Sequence, residues 1–203
     1  MDVIDGIAEE FITGDDTRIK CTKMLSSGGY GKVYEVNDSF GLDQSLIPSI
    51  DESRPYWEGT YYPDPYLSRT NVSQRFARKT IHLSGPITKQ DIENEAITIE
   101  KLRKYKRHRN IVTIFRHGWL VSHARGNVPL PVYFIDMELG DQNLDQYIKG
   151  RYSRANGKLS LLEIWVIMLD IAAGLDHLHR RAIIHRDLKP ANGIIDLFPW
   201  TQS

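Results

Sequence analysis

The chain has 203 residues, with 26 basic and 26 acidic side chains, so its formal net charge is zero. That balance argues against a nucleic acid or an anionic membrane as partner, because both attract an excess of positive charge. The length allows one sizeable domain or two small lobes, and 41% apolar residues are enough for a core. The acidic N-terminus does not resemble a signal peptide, and the single cysteine, Cys21, indicates a reducing compartment. We therefore expect a cytoplasmic or nuclear location.

The first third of the chain predicts a β-hairpin with a glycine-rich turn. Residues 1–17 are interpreted as a loosely held lead-in, and the side chains of residues 18–25 alternate as in a strand. Residues 26–33, Ser-Ser-Gly-Gly-Tyr-Gly-Lys-Val, lead into a second strand at residues 34–36. Such a turn lets backbone N–H groups approach a phosphate closely, although any hairpin can carry glycines.

Residues 37–75 interrupt this pattern with four prolines, four tyrosines and Trp57, and show no clear period. Loops of more than about 15 residues are commonly functional or disordered, so the segment predicts a long insertion. Its aromatic side chains could dock a protein partner. The simpler alternative is a surface excursion without a partner.

The next two elements predict an ion pair. Residues 76–81 read as a strand that places Lys79 between apolar neighbours on one face, with Arg78 on the other face. Thr88 can cap a following helix that runs to about residue 105. Glu95 falls on the apolar stripe of that helix, where a carboxylate is costly unless a cation meets it. We therefore expect Lys79 and Glu95 to pair.

The remaining apolar segments predict two strands and two helices. Residues 108–112 lead into a strand that ends near residue 121, and a loop with two prolines precedes a strand at 132–135. A short helix is expected at 143–148. Residues 159–180 predict a long helix, capped by Ser160, that is apolar almost all round and expects burial on several sides. Its two late histidines, His177 and His179, are interpreted as solvated or capping residues, with metal binding as the alternative.

The strongest chemical signal lies at residues 185–192, His-Arg-Asp-Leu-Lys-Pro-Ala-Asn. This loop holds a carboxylate, an ammonium and a carboxamide at Asp187, Lys189 and Asn192. Together they offer an acceptor for a hydroxyl proton, a counter-charge for phosphate and a metal ligand. Such a set suits phosphoryl transfer, which depends mainly on positioning and charge stabilisation.

The loop also resembles the catalytic loop of protein kinases, H-R-D-L-x-x-x-N, at every fixed position. The glycine-rich turn is similar to the kinase pattern G-x-G-x-x-G-x-V, with Ser26 in place of the first glycine. The resemblance implies an α+β, protein-kinase-like fold with a complete small lobe and a partial helical large lobe. It places the small lobe at residues 18–137, including the insertion, and the hinge and large lobe at residues 138–203.

The resemblance also implies a site for ATP and Mg²⁺ and a role for each residue in it. Asp187 would position and deprotonate a Ser or Thr hydroxyl of a protein substrate, Lys189 would stabilise the γ-phosphate, and Asn192 would bind the metal. Lys79, oriented by Glu95, would hold the α- and β-phosphates. The nucleotide would be enclosed by residues of the turn, the strands and the hinge: Gly28, Gly31, Val33, Ala77, Met137, Glu138 and Leu139.

One part of the kinase pattern is missing. The 203 residues contain no Asp-Phe-Gly, whose aspartate holds magnesium in kinases. We therefore expect a kinase truncated after the catalytic loop, with phosphoryl transfer absent or low in this chain. Two alternatives stay open. The chain could be a non-catalytic, kinase-like module that binds nucleotide or protein, or a fragment without a function of its own.

Overall fold

The computed structural model describes residues 19–38, 74–83, 87–120, 132–153 and 157–196. The expected lead-in, nearly all of the 37–75 insertion, the loop at 121–131 and the last seven residues lie outside these ranges. The described residues fall into two compact units. The first holds the described residues up to Leu139 apart from 107–112, and the second holds 107–112 and the described residues from Gly140 onwards.

The first unit is built on a five-stranded antiparallel sheet with the strand order β1-β2-β3-β5-β4. The strands are β1 (Ile19–Gly28), β2 (Gly31–Asp38), β3 (Gln74–His82), β4 (Ile114–Leu120) and β5 (Val132–Met137). The expected hairpin and later strands are therefore confirmed. Because β5 separates β3 from β4, β3 lies at the centre of the sheet, where a buried charge needs a partner.

One face of this sheet is covered by helix α1 (Lys89–Arg103). The side chain of Thr88 accepts a hydrogen bond from the backbone N–H of Asp91, whose carboxylate accepts one from the backbone N–H of Thr88. This capping box confirms the expected helix start. Ile92 and Ile99 of α1 are buried against an apolar cluster of the sheet that includes Ile81, Tyr133 and Ile135. The α+β fold class predicted from the sequence is thus confirmed.

The second unit contains two helices and a small two-stranded sheet. Its elements are β6 (Gln142–Asn143), α2 (Leu144–Tyr152), α3 (Leu161–His179), a 3₁₀ turn at Pro190–Asn192 and β7 (Ile194–Ile195). β6 pairs antiparallel with β7, so the chain after the 185–192 loop returns to the start of α2. Helix α2 confirms the helix expected at 143–148, and it extends four residues further than predicted.

Close packing explains the glycine at position 174 of α3. A Cβ atom on Gly174 would lie 2.8 Å from the carbonyl oxygen of Asn110, so the 107–112 segment approaches the helix more closely than a side chain would allow. In the same region the imidazole of His177 is buried, and its ring centroid lies 4.4 Å from that of His108. The expectation that His177 is solvated or capping is therefore wrong, because it lies on the helix face that this segment covers. His179 is exposed.

Burial on several sides of α3, which is expected in a complete kinase-like large lobe, is not present in the described part of the chain. Only Gly174, His177 and Leu178 are buried, whereas six large apolar side chains in the first half of the helix are exposed: Leu161, Leu162, Ile164, Trp165, Met168 and Leu169. The described residues pack on one side of the helix only. No helix within the described ranges is both long and apolar enough to cross a membrane.

The start of α3 is stabilised by hydrogen bonds to the carboxylate of Glu163. The backbone N–H of Ser160 and the hydroxyl of Tyr147 donate to the carboxylate of Glu163 at 2.7 Å each, and Arg151 donates at 2.8 and 3.0 Å. These donors, the Ser160 backbone first, lower the pKa of Glu163 to about 2. Hydrogen bonds to the ionised form thus stabilise the junction of α2 and α3.

The lowered pKa of Glu163 predicts that the free energy of unfolding depends on pH. The pKa of Glu163 is lower in the folded state than in the unfolded state. The ionised carboxylate therefore stabilises the fold fully above the unfolded-state pKa of 4.5, and this stabilisation is lost as the pH falls towards about 2. Replacing Glu163 by glutamine should lower the free energy of unfolding at pH 7 by about 1–2 kcal/mol after allowance for solvent screening. Urea titrations followed by circular dichroism should show this gap closing between pH 4.5 and 2. A gap that stays constant over that range contradicts the prediction.

Candidate active site

The glycine-rich turn joins β1 to β2 between Gly28 and Gly31, which are paired across the hairpin. Gly31 has a φ of +126°, a conformation that residues with a side chain rarely adopt. A Cβ atom there would lie only 2.2 Å from the carbonyl oxygen of Thr80 on β3. The backbone of the turn is therefore held close to the neighbouring strand. Ser26, in the position of the missing first glycine, lies in β1 beside a register irregularity.

Replacing Gly31 by alanine is expected to lower the free energy of unfolding by about 1–3 kcal/mol, because the new Cβ meets backbone and the φ is strained. Gly28→Ala is the matched control, since no atom lies within 4 Å of its added Cβ and its φ is not positive. Chemical unfolding of both variants measures the difference. Equal losses of unfolding free energy in the two variants would show that the close approach of Gly31 to β3 does not affect stability.

Lys79 and Glu95, predicted to pair, are brought together by β3 and α1. The Lys79 ammonium donates to a carboxylate oxygen of Glu95 at 3.0 Å. The lysine side chain is 26% exposed and the glutamate 44%, so the pair lies at the surface of the first unit and can be reached by a ligand. An ammonium on a central strand, held by a carboxylate from the helix above it, is available as a phosphate counter-charge.

The strand register places the predicted nucleotide-contacting residues of the sheet on the same face as Lys79. Val33 lies directly across from Lys79, and Ala77 lies directly across from Met137. Opposite residues in an antiparallel pair share a face, as do residues two apart in one strand. These four side chains therefore form one surface on the side of the sheet that α1 covers in part.

The residues after β5 are fixed to the start of β4. The backbone N–H of Glu138 donates to the carbonyl oxygen of Thr113 at 2.9 Å, and the Glu138 carboxylate accepts from the backbone N–H of Thr113 at 2.9 Å. This reciprocal pair orders Glu138 and the neighbouring Leu139, both of which were expected to contact the nucleotide. The sequence pattern gave no signal for the role of Thr113.

In the second unit, the loop that resembles the kinase catalytic loop brings its three predicted site residues together. The carboxylate of Asp187 accepts from the Lys189 ammonium at 2.8 Å and from the Asn192 amide at 2.9 Å, and the Asn192 amide also donates to the Asp187 carbonyl oxygen at 2.8 Å. The hydrogen bonds from Lys189 and then Asn192 lower the pKa of Asp187. Asp187 is therefore ionised at neutral pH, as a proton acceptor must be.

The backbone anchors this loop on both sides. Arg186 has a φ of +63°, in the left-handed region that is unfavourable for a residue with a side chain. After the 3₁₀ turn, the carbonyl oxygen of Gly193 accepts from the backbone N–H of Leu144 at 2.8 Å. A Cβ on Gly140 would lie 1.9 Å from a methyl carbon of Ile194, so β7 packs directly on the start of the second unit. The loop is thus positioned by β7 and α2.

The loop offers the carboxamide oxygen of Asn192, an oxygen ligand of the kind that Mg²⁺ prefers. Magnesium is usually bound by one or two protein ligands together with substrate phosphates and water. In the part of the chain that the structure describes, no cluster of three or more His, Cys, Asp or Glu side chains could hold a metal ion. The residues therefore fit a magnesium ion that arrives with a phosphate ligand, and they do not fit a metal site made of protein alone.

Comparison with known proteins agrees with this geometry. Residues 66–198 match the protein kinase domain family, a span that includes Lys79, Glu95 and the 185–192 loop but begins after the glycine-rich turn. The chain is 32% identical over 100 residues to the probable serine/threonine-protein kinase iksA of Dictyostelium discoideum, covering 48% of this chain and 10% of that protein.

Two yeast proteins match over longer stretches. Identity is 28% over 144 residues with the serine/threonine-protein kinase crk1 of Schizosaccharomyces pombe, covering 71% of this chain and 38% of that protein. It is 27% over 187 residues with the meiosis induction protein kinase IME2/SME1 of Saccharomyces cerevisiae, covering 91% of this chain and 26% of that protein. The chain thus spans well under half the length of these relatives. With the family matched over most of the chain, this protein belongs to the protein kinase family, and it has serine/threonine kinases among its relatives.

Proposed function

We propose that the chain carries the ATP-binding and hydroxyl-activating residues of a serine/threonine protein kinase. The observation that supports this most strongly is the Asp187–Lys189–Asn192 cluster, in which one carboxylate is bonded to an ammonium and a carboxamide. We assign residues 18–137 to a small lobe and residues 138–203 to the hinge and the beginning of a large lobe.

Each residue has a distinct role in the proposed reaction. Lys79, oriented by Glu95, binds the α- and β-phosphates of ATP, and the Gly28–Gly31 turn directs backbone N–H groups at the phosphates. Val33, Ala77 and Met137 contact the nucleotide base and ribose, and the backbone of Glu138 and Leu139 reads the adenine edge. A bound magnesium ion supplies charge neutralisation at the phosphates, and Asn192 contributes a ligand to it.

The catalytic loop supplies the acid–base chemistry. Asp187 accepts a hydrogen bond from the attacking Ser or Thr hydroxyl and takes its proton as the hydroxyl oxygen bonds to the γ-phosphorus. The bond between that phosphorus and the β–γ bridging oxygen breaks in the same step, and ADP leaves. Lys189 lies 2.8 Å from Asp187, and this proximity supports a role for its ammonium in stabilising charge on the γ-phosphate. The low pKa of Asp187 keeps this acceptor ionised before the substrate arrives.

The experiment is a phosphoryl-transfer assay with γ-labelled ATP, Mg²⁺ and a library of Ser/Thr peptides. Because the 203 residues contain no Asp-Phe-Gly, we expect slow transfer. Whatever transfer occurs should fall at least about a hundredfold in Asp187→Asn, which removes the proton acceptor and preserves the shape of the side chain. Asp145→Asn, on the exposed surface of α2, is the control. Transfer that is equal in the wild type and Asp187→Asn contradicts the assignment.

A second candidate, a non-catalytic module that binds nucleotide or protein, is favoured by two observations. The chain has one expected magnesium ligand, Asn192, and the α3 helix presents an exposed apolar surface. Nucleotide binding that is unchanged by chelation of magnesium, with no measurable transfer, would select this candidate. Residues 37–75 are the proposed docking segment in either case, with a protein as partner.

A further inference from the structure

The face of the sheet opposite Lys79 contains a buried ion pair that no catalytic assignment uses. Arg78 of β3 and Asp136 of β5 lie directly across from each other, and they are 2% and 0% exposed. Arg78 is the neighbour of Lys79 in sequence, and Asp136 is the neighbour of Met137. The pair therefore sits one residue away from two proposed nucleotide-binding positions, on the other side of the same strands.

The geometry of the pair is strongly directional. Nε of Arg78 donates to Oδ1 of Asp136 at 2.6 Å, and a terminal nitrogen donates to Oδ2 at 2.8 Å. A two-pronged guanidinium–carboxylate contact fixes both distance and orientation, whereas an ammonium acts only as a point charge. The contact is thus suited to fixing how two strands align.

Other charged and aromatic groups complete the cluster. Arg116 of β4 donates to Asp136 at 2.5 Å and lies 3.9 Å from Asp38 of β2, so two guanidinium groups are balanced by two carboxylates. The guanidinium carbon of Arg78 lies 4.7 Å from the ring centroid of Phe134. Charged side chains from four adjacent strands therefore lie together on one buried face. A charge without a partner there would destabilise the fold.

Hydrophobic patterning does not fix the alignment of these two strands. Residues 132–135 of β5 are Val-Tyr-Phe-Ile, apolar on both faces, and β3 likewise has apolar side chains on both faces at Phe76 and Ala77. A shift of one residue in either strand would exchange the two faces and carry Lys79 or Met137 to the wrong side. β3 and β5 are also far apart in sequence, so no tight turn sets their register.

We propose that Arg78 and Asp136 are positioning residues for nucleotide binding. Their ion pair fixes the register of β3 against β5, and this keeps Lys79 and Met137 on the face that α1 covers. The register part stands on the strand geometry alone, whereas the nucleotide part rests on the function proposed above.

The register can be read directly by nuclear magnetic resonance of the whole 23.4 kDa chain. Cross-strand Overhauser contacts between Ala77 and Met137, and between Lys79 and Ile135, report the native alignment. The main variant is Arg78→Met/Asp136→Leu, which removes the pair while leaving Arg116 and Asp38 to balance each other. Apolar replacement of a buried pair is often neutral or stabilising, so this variant is expected to fold. Arg75→Met/Glu35→Leu, which removes an exposed β3–β2 pair, is the matched control.

We expect the main variant to lose the native cross-strand contacts in part, or to show a second set of resonances, and the control to keep one native set. Asp136→Glu, which keeps the guanidinium and a carboxylate for the two-pronged contact, should keep the native set. Affinity for a fluorescent ATP analogue should fall at least about tenfold in the main variant and stay within about threefold in the other two.

A main variant with a single native set of contacts, or with wild-type nucleotide affinity, overturns the proposal. If the main variant does not fold, the Asp136→Glu variant decides. Loss of its native cross-strand contacts, although the chain is folded and the guanidinium still has a carboxylate partner, also overturns the proposal. Absence of nucleotide binding by the wild-type chain would refute the proposed function and the nucleotide part of this inference. The cross-strand contacts would still decide the register part.

Discussion

Asp136→Ala is expected to lower the free energy of unfolding by about 3–5 kcal/mol, the usual cost of removing one partner from a buried ion pair. The substitution leaves the Arg78 guanidinium buried without the carboxylate that accepts two of its hydrogen bonds, and it removes a partner of Arg116. Since a whole domain is stable by only about 5–15 kcal/mol, such a loss is a large fraction of the total. Urea unfolding followed by circular dichroism measures it.

Glu35→Ala is the matched control for this prediction. It also removes a carboxylate that pairs with an arginine of β3, at 2.8 Å, but the Arg75 side chain is 59% exposed and returns to water when its partner is lost. We expect a loss below about 1 kcal/mol, as for other surface ion pairs. Comparable losses in the two variants would mean that burial does not set the cost of breaking the Arg78–Asp136 pair.

Lys79→Met should weaken ATP binding by about 10- to 100-fold, because a charge-assisted contact to phosphate contributes about 1.5–3 kcal/mol. Methionine keeps most of the length and apolar surface of the side chain, and Glu95 is 44% exposed and can be solvated when its partner is gone. The fold should therefore survive. Isothermal titration calorimetry with ATP and Mg²⁺ gives the affinities.

Lys89→Met tests whether the loss is specific to position 79. The Lys89 side chain is 72% exposed and belongs to an i,i+4 pair with Glu93 on α1, so the variant changes the net charge equally without touching the proposed site. Its affinity for ATP should equal that of the wild type. A similar loss in both variants would indicate a general charge effect, and the phosphate-binding role of Lys79 would then be abandoned.

Local signals in the sequence predicted much of the fold. The capping boxes at Thr88 and Ser160 depend on residues three apart, so they could be located from the sequence, and both are present. The Lys79–Glu95 contact could also be predicted, because each charge falls on an apolar face where it needs a partner. The three predicted site residues of the 185–192 loop are close in sequence, and their hydrogen bonds follow from that proximity.

Features that depend on distant neighbours could not be predicted in the same way. The Arg78–Asp136 pair joins residues 58 apart and requires β5 to lie between β3 and β4, which strand patterns alone do not reveal. His177 was misjudged because helical periodicity defines faces but does not say that the 107–112 segment covers one of them.

Titration of the isotopically labelled chain with ATP and Mg²⁺, followed by amide resonances, tests the central claim most directly. If the proposed residues bind the nucleotide, saturable shifts should appear in the Gly28–Gly31 turn and at Lys79, and a magnesium ion bound with it should shift Asn192. The absence of saturable shifts in the turn and at Lys79 would contradict the account of this chain as an ATP-binding kinase.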